Sequence, residues 1–380
     1  MVYQGNSKYR EAPIRLPLFF VANPGFPPTM PFCCHSHSGR NTTLFHMILE
    51  QRFPCLLYLF VCLTLFPQAL LMGQSEHSPD YLTYHSRVTQ AESQLSEGHF
   101  QEALIIYEEI LDAYSFVFGR DAKIALQLAL YLKEDQKALD LLQKTIHQGL
   151  DLKEVKKLPG VKRLRKTPAW DRLEKSYDDL KAASLNPVDT LVREMVREMY
   201  KKDQKKAMGA LMRIGNKAQI AYGEKVFAPH SETQLSELTG IITTGGYPGE
   251  KRIRNSYWAP TILSHHNSIS TAYNQQDSLY PNLKPLLLEA LKAGNISPYE
   301  LALVEDWKIA TVSSWSDPGY GYLNSPRAQT LSVTDSLRKA IGLRSVTLRN
   351  RLVEQEAETG MDFFLPDWVG GKIEIIKEEQ

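Results

Sequence analysis

Two adjacent histidines, His265 and His266, and two separate carboxylates, Asp203 and Asp306, are the side chains here whose types best suit chemistry. A histidine beside a carboxylate is raised in basicity and suits a general acid or base. Consecutive residues on a helix point about 100° apart, so one site takes only one of the two histidines easily. We take His266, with Asp203 or Asp306 from other helices, as the candidate catalytic set. The plainer reading is a buried polar network that fixes helix packing, and it carries more weight. No metal or cofactor is expected. There is no His-Glu-x-x-His and no ligand cluster in the body of the chain, and one inward histidine with two carboxylates is a common accident. The loop Thr244-Gly-Gly-Tyr-Pro-Gly249 lacks the spacing and Lys-Ser/Thr ending of a phosphate cradle, and no nucleophile elbow or serine-lysine motif is present. Trp315, Asp317, Pro318, Tyr320 and Tyr322 crowd one further loop. Such aromatics grip sugar or peptide ligands, or else pin down an irregular lid, and the lid is the stronger reading.

These residues sit on a helical pattern. Leu191, Met195 and Met199 recur at four-residue steps after Asn186-Pro187, which predicts an amphipathic helix running to about Ile214 with Asn186 as cap and Pro187 in the first turn. Further helices are expected over 231–243, 259–274, 281–293, 297–308 and 333–358. Ser297-Pro298 with Glu300 supplies a cap and a first-turn proline for the fourth of these. The segment Lys372-Ile-Glu-Ile-Ile376 reads as strand-like.

Upstream, small and apolar residues at Ala91, Leu95, Ala103, Tyr107, Ile110 and Leu111 mark two helices that meet at Gly98. Thirty-five residues later Leu130, Ala138, Leu142 and Thr145 repeat Leu95, Ala103, Tyr107 and Ile110, with Lys133 near the place of the turn glycine. The period and the small residues resemble the tetratricopeptide repeat, a helix pair of about 34 residues, over Tyr81 to Gly149. The resemblance implies a surface for a protein or peptide ligand. Two pairs are few for a free array, so they must lean on the basic segment after Asp151 and on the domain beyond it. Lys153 to Lys166 carries seven Lys/Arg and one Glu around Leu152, Val155, Leu158, Val161 and Leu164. That is a solvated helix face rather than a nucleic-acid patch. Trp170, Leu173 and Tyr177 are expected to cap the stack.

Asp203-Gln204, Gly246-Tyr247-Pro248, His265-His266, Glu305-Asp306-Trp307, Tyr320-Gly321 and Arg338-Lys-Ala-Ile-Gly-Leu343 occur in that order. The series resembles a bacterial family of domains of unknown function over about Leu191 to Leu343. It implies an inward His266 and a more exposed His265. The candidate binding positions are Gln204, His265, Tyr247, Tyr320 and Trp315. Trp307 stands where the family has arginine, which removes a forked guanidinium able to hold a carboxylate at two points. The resemblance brings location and no activity.

The 44 Lys+Arg and 43 Asp+Glu leave a net charge of +1, which gives no field toward nucleic acid or an anionic membrane. Hydrophobic content of 43% suits a globular body. All four cysteines (Cys33, Cys34, Cys55 and Cys62) precede Gly73. Arg52 and the apolar run Cys55 to Phe66, closed by Pro67, have the layout of an export signal cleaved after Gly73. The run is short for a membrane span, so no stable membrane insertion is expected once it is cleaved, with a retained N-terminal anchor as the alternative. Met47 reads as the start, and residues 1–46, including Cys33-Cys34-His35-Ser-His37, as a leader from an over-long gene model. The expectation is an all-α, periplasmic or secreted protein: a leader (1–46), a signal (47–73), a tetratricopeptide-like array (81–184), a second helical domain (187–358) and a tail (359–380). Its first functional reading is a non-catalytic interaction protein, and a hydrolase-like enzyme is the alternative. The sequence carries no signal for oligomeric state.

Overall fold

The computed structural model describes residues 80–184, 187–365 and 371–377, so the leader, the signal run and Asn186 lie outside the described residues. Regular structure among these residues is helical, and the strand-like end makes only an isolated parallel bridge between Arg327 and Ile376. No helix of the described residues is long and apolar enough to cross a membrane.

The first half of the described residues begins with α1 (Tyr81–Ser96) and α2 (Phe100–Ala113), then α3 (Gly119–Tyr131) and α4 (Asp135–His147). Both pairs turn the same way. Gly98 adopts φ +78° and Lys133 φ +63°, and the next N–H donates five residues back, His99 to the Gln94 carbonyl and Glu134 to that of Ala129, each at 2.9 Å. Lysine therefore keeps the left-handed turn that glycine takes without steric cost. Ala91, Ala103, Ala125, Ala129 and Ala138 are buried where the helices approach. Two single turns, α5 (Leu152–Val155) and α6 (Val161–Leu164), bury the five apolar residues of the basic segment, and its lysines and arginines stay in solvent. Thr167 caps α7 (Pro168–Ala182), which lays Trp170 and Leu173 against α4.

The second half comprises α8 (Thr190–Leu211), α9 (Asn216–Tyr222), a π-helical turn (Gly223–Phe227), α10 (Ala228–Gly245), α11 (Glu250–Ile253) and α12 (Trp258–Asn267). It continues with α13 (Thr271–Gln276), α14 (Leu279–Lys292), α15 (Pro298–Val312), α16 (Leu331–Ala340) and α17 (Val346–Thr359). Three expected boundaries move. Asp189, not Asn186, caps α8 by accepting from the Val192 N–H. The helix expected over 259–274 is two, because the Ser270 hydroxyl accepts from the Tyr273 N–H and starts α13 afresh. The helix expected over 333–358 also splits. Gly342 turns left-handed at φ +77°, the Leu343 N–H returns to the Arg338 carbonyl, and Ser345 caps α17. Ser297, Pro298 and Glu300 form the expected capping box at α15.

The core does not divide where the chain does. Leu352 of α17 and Met361, Phe363 and Leu365 beyond it join the core of the helix pairs, while the rest of the second half packs around α12, α14 and α15. Residues 361–365 of the expected tail thus pack into the core of the first four helices. Glu92 of α1, fully buried, ties the halves together by pairing with Arg120 (2.5 Å) and with Arg344.

Candidate functional site

All ten residues of α12 are buried, because α8, α10 and α15 pack against it. A helix enclosed on every side has no outward face. Both histidines therefore lie inside the protein, and they meet different partners. His265 Nδ1 lies 2.5 Å from Asp203 Oδ2 of α8. The neighbouring Gln204 amide donates to the same carboxylate at 3.4 Å, and the Phe227 ring stands edge-on to the imidazole at 6.2 Å.

His266 faces the other way. Its Nδ1 is 3.0 Å from the Ser231 hydroxyl of α10. Its Nε2 is 3.3 Å from Asp277 Oδ1, within ion-pair reach but poorly aligned for a hydrogen bond. Tyr273 packs edge-on against the ring. Lys308 of α15 donates to Asp277 Oδ2 at 3.0 Å and to the Asn274 side chain at 2.9 Å. Burial pushes the Asp277 carboxyl up, but His266 and Lys308 outweigh it and hold it well below the usual carboxylate range.

Asp306 reaches neither histidine. Its two oxygens accept from the Tyr320 N–H at 2.5 Å and the Tyr322 N–H at 2.8 Å. Burial pushes its carboxyl up to about 7 against the pull of those donors and of Arg338. Arg338, fully buried on α16, donates to the Tyr320 carbonyl at 2.7 Å and lies over the Tyr322 ring at 4.9 Å. Carboxylate and guanidinium thus clamp the backbone of residues 320–322 from both sides. Gly319, at φ +53°, is the close approach in this clamp, since a Cβ there would collide with Asp306 Oδ1. Tyr320 and Tyr322 are buried and Trp315 stands edge-on to Trp307, so these aromatics anchor the loop. Tyr247 is fully buried beside α10, near Glu300.

The candidate set His266, Asp203 and Asp306 is consequently not assembled. The side chains brought together are His265 with Asp203, and His266 with Ser231 and Asp277. Both histidines are buried, His265 at 2% exposure and His266 at 0%, so neither faces solvent. The physical reason is the turn angle: adjacent residues on an enclosed helix must find separate neighbours. Ser231, Asp277 and Lys308 carried no motif. Asp277 follows the short helix α13, whose existence depended on the Ser270 cap. A narrow cleft between α12 and α15 is lined by Thr261, Ser264, Tyr299 and Glu300 among others, and its lining includes neither histidine. Burial pushes the Glu300 carboxyl up to about 8, against hydrogen bonds from Ser297. No group of three or more His, Cys, Asp or Glu among the described residues is arranged to hold a metal ion.

No family model, curated protein or solved structure matches this chain.

Proposed function

We propose that this is an exported, non-catalytic interaction protein that takes an extended peptide or protein segment along the face built by α1 and α3. One observation carries the reading: through α3, that face already holds a non-helical segment of its own chain, residues 361–365, which turns at Phe364 (φ +50°). The Gln127 amide donates to the Asp362 carbonyl at 2.6 Å and accepts from the Asp362 N–H at 3.1 Å. Arg120 Nε donates to the Phe363 carbonyl at 3.1 Å. Met361, Phe363 and Leu365 alternate inward, while Lys123 lies over the Phe364 ring at 4.1 Å. Backbone pairing with pockets for alternate side chains is how a peptide groove combines affinity with tolerance of sequence. Export is supported by the charged flank, apolar run and proline before Gly73, and by a body without cysteine. Amino-terminal sequencing of the secreted product should read from Gln74.

The test releases the strand and offers it back. A chain carrying Met361→Asp and Phe363→Asp should bind a labelled peptide of residues 359–365, as read by fluorescence anisotropy, while the wild type should not. Adding Gln127→Ala should weaken that binding about tenfold, the loss of a paired backbone contact. A released chain that stays folded and ignores the peptide overturns the reading.

A hydrolase-like activity is the second reading, favoured by the run Ser231, His266, Asp277. Against it, Ser231 and His266 are each 0% exposed, so a substrate carbonyl reaches the hydroxyl only if α10 parts from α12. Labelling of Ser231 by a fluorophosphonate probe in the folded protein would establish it.

A further inference from the structure

Helix α8 ends in an exposed apolar knuckle. Met208, Leu211, Met212 and Ile214 are 52%, 40%, 75% and 97% exposed, where the chain turns through Gly215 into α9. Side chains this apolar are normally covered, and four within seven residues form a patch rather than scatter. It adjoins the small satellite core of Ala207, Ala210, Phe227, Ala228 and Ile269.

Its surroundings are mainly basic: residues 201–225 carry seven Lys/Arg against Asp203 and Glu224, although Lys201 pairs with Glu198 one turn back. Asp203 is buried with His265, so Glu224 is the one exposed acid of that stretch. Lys201, Lys205, Met208 and Met212 follow one another at four-, three- and four-residue steps and so share a strip of α8, with the lysines behind and the methionines at the tip. Lys205 stands ~10 Å along the axis from Met212. Lys206, Arg213 and Lys217 are exposed around the same end. An apolar tip with cations one to two turns behind it matches the depth profile of a lipid interface. The tip enters the acyl boundary to about 5–10 Å, and lysine stems reach back to the phosphates.

We infer that the α8–α9 knuckle is a peripheral membrane-docking site, and that its partner is the surface of an anionic phospholipid bilayer. The charge balance of the whole chain does not oppose this, because the attraction is local and screened within a Debye length. The site uses none of the residues that grip the 361–365 strand, so it stands or falls independently of the peptide groove.

The experiment is co-sedimentation of the full chain with vesicles containing about one-third phosphatidylserine, against vesicles of pure phosphatidylcholine. Any contribution of the apolar run near the amino terminus appears on both, so the reading is the difference between them. Wild type should partition to the anionic vesicles by at least about tenfold over the neutral ones, falling as salt is raised. Met212→Asp with Ile214→Asp should abolish the difference, and Lys205→Gln with Lys206→Gln should reduce it about fivefold per lysine. All four positions are exposed, so the thermal transition should not move. Equal binding to both vesicles by the wild type overturns the inference. So does an anionic preference that survives both double variants. Self-association lost in the Met212→Asp, Ile214→Asp chain, with vesicle binding unchanged, assigns the knuckle to a second copy and overturns it as well.

Discussion

Glu92 in the first half and Glu300 in the second half are both buried glutamates on helices, and their surroundings push them in opposite directions. Burial raises each carboxyl. For Glu92, the guanidiniums of Arg344 and Arg120 outweigh that effect and hold it below the ordinary carboxylate range. Glu300 has hydrogen bonds from Ser297 and the nearby charge of Glu250, and it is pushed up to about 8. The charge of a buried acid is thus decided by whether another element delivers a cation to it. At Glu92 it does, and the resulting ion pair is also the joint to Arg344. Around Glu300 the second half's cations go to other acceptors: Lys284 to Glu305, Lys308 to Asp277, and Arg338 to the carbonyl of Tyr320.

The largest effect should come from breaking the joint. Glu92→Ala leaves two guanidiniums facing a buried gap, which costs about 3–5 kcal/mol and should show as a large drop in the urea midpoint. An unchanged midpoint would mean that the pair contributes nothing beyond its own desolvation.

A smaller effect is expected at the histidine pair. Asp203→Asn should cost about 1–3 kcal/mol, because it replaces a charge-assisted contact inside the core by a neutral one. Combined with His265→Gln it should cost less than the sum, with a coupling of about 0.5–3 kcal/mol. The same Asp203→Asn change combined with His266→Gln should be closer to additive, since His266 spends its ring on Ser231 and Asp277. Strong coupling of Asp203 to His266 instead would contradict the observed pairing.

The third effect is a slope. A carboxyl whose folded pKa lies above its unfolded value stabilises the fold fully below the unfolded value, and that stabilisation is lost as pH rises through the folded one. For Glu300 the window runs from 4.5 to about 8. Glu300→Gln keeps the capping box and removes the titration, so its stability should fall less across this window than that of the wild type. Parallel pH profiles of the two urea midpoints would show that Glu300 does not titrate there.

Much of the helical framework was legible because its causes are local. The four-residue steps of Leu191, Met195 and Met199, the capping box at Ser297 and the thirty-five-residue shift between helix pairs all lie within one or two helices' reach. Even Lys133 keeps its predicted turn, since the hydrogen bond from Glu134 to Ala129 spans five residues. The breaks were legible in principle and were overridden by continued periodicity: Ser270 and Gly342 each interrupt a pattern that would otherwise pass for one helix. The candidate site was less legible. Its members were named partly by motif order, and motif order says which residues lie near α12 without saying which way each one faces.

The sequence by itself determined that the described residues are helical, that residues at a thirty-five-residue spacing recur between two successive helix pairs, and that no cysteine follows Gly73, because composition and short-range spacing are properties of the chain. Tertiary structure alone decided that α12 would be enclosed, that His265 would take Asp203 while His266 took Ser231 and Asp277, and that residues 361–365 would lie along α3. Those outcomes depend on contacts between residues 11 to 243 positions apart on different elements, where closure of the fold sets the neighbours.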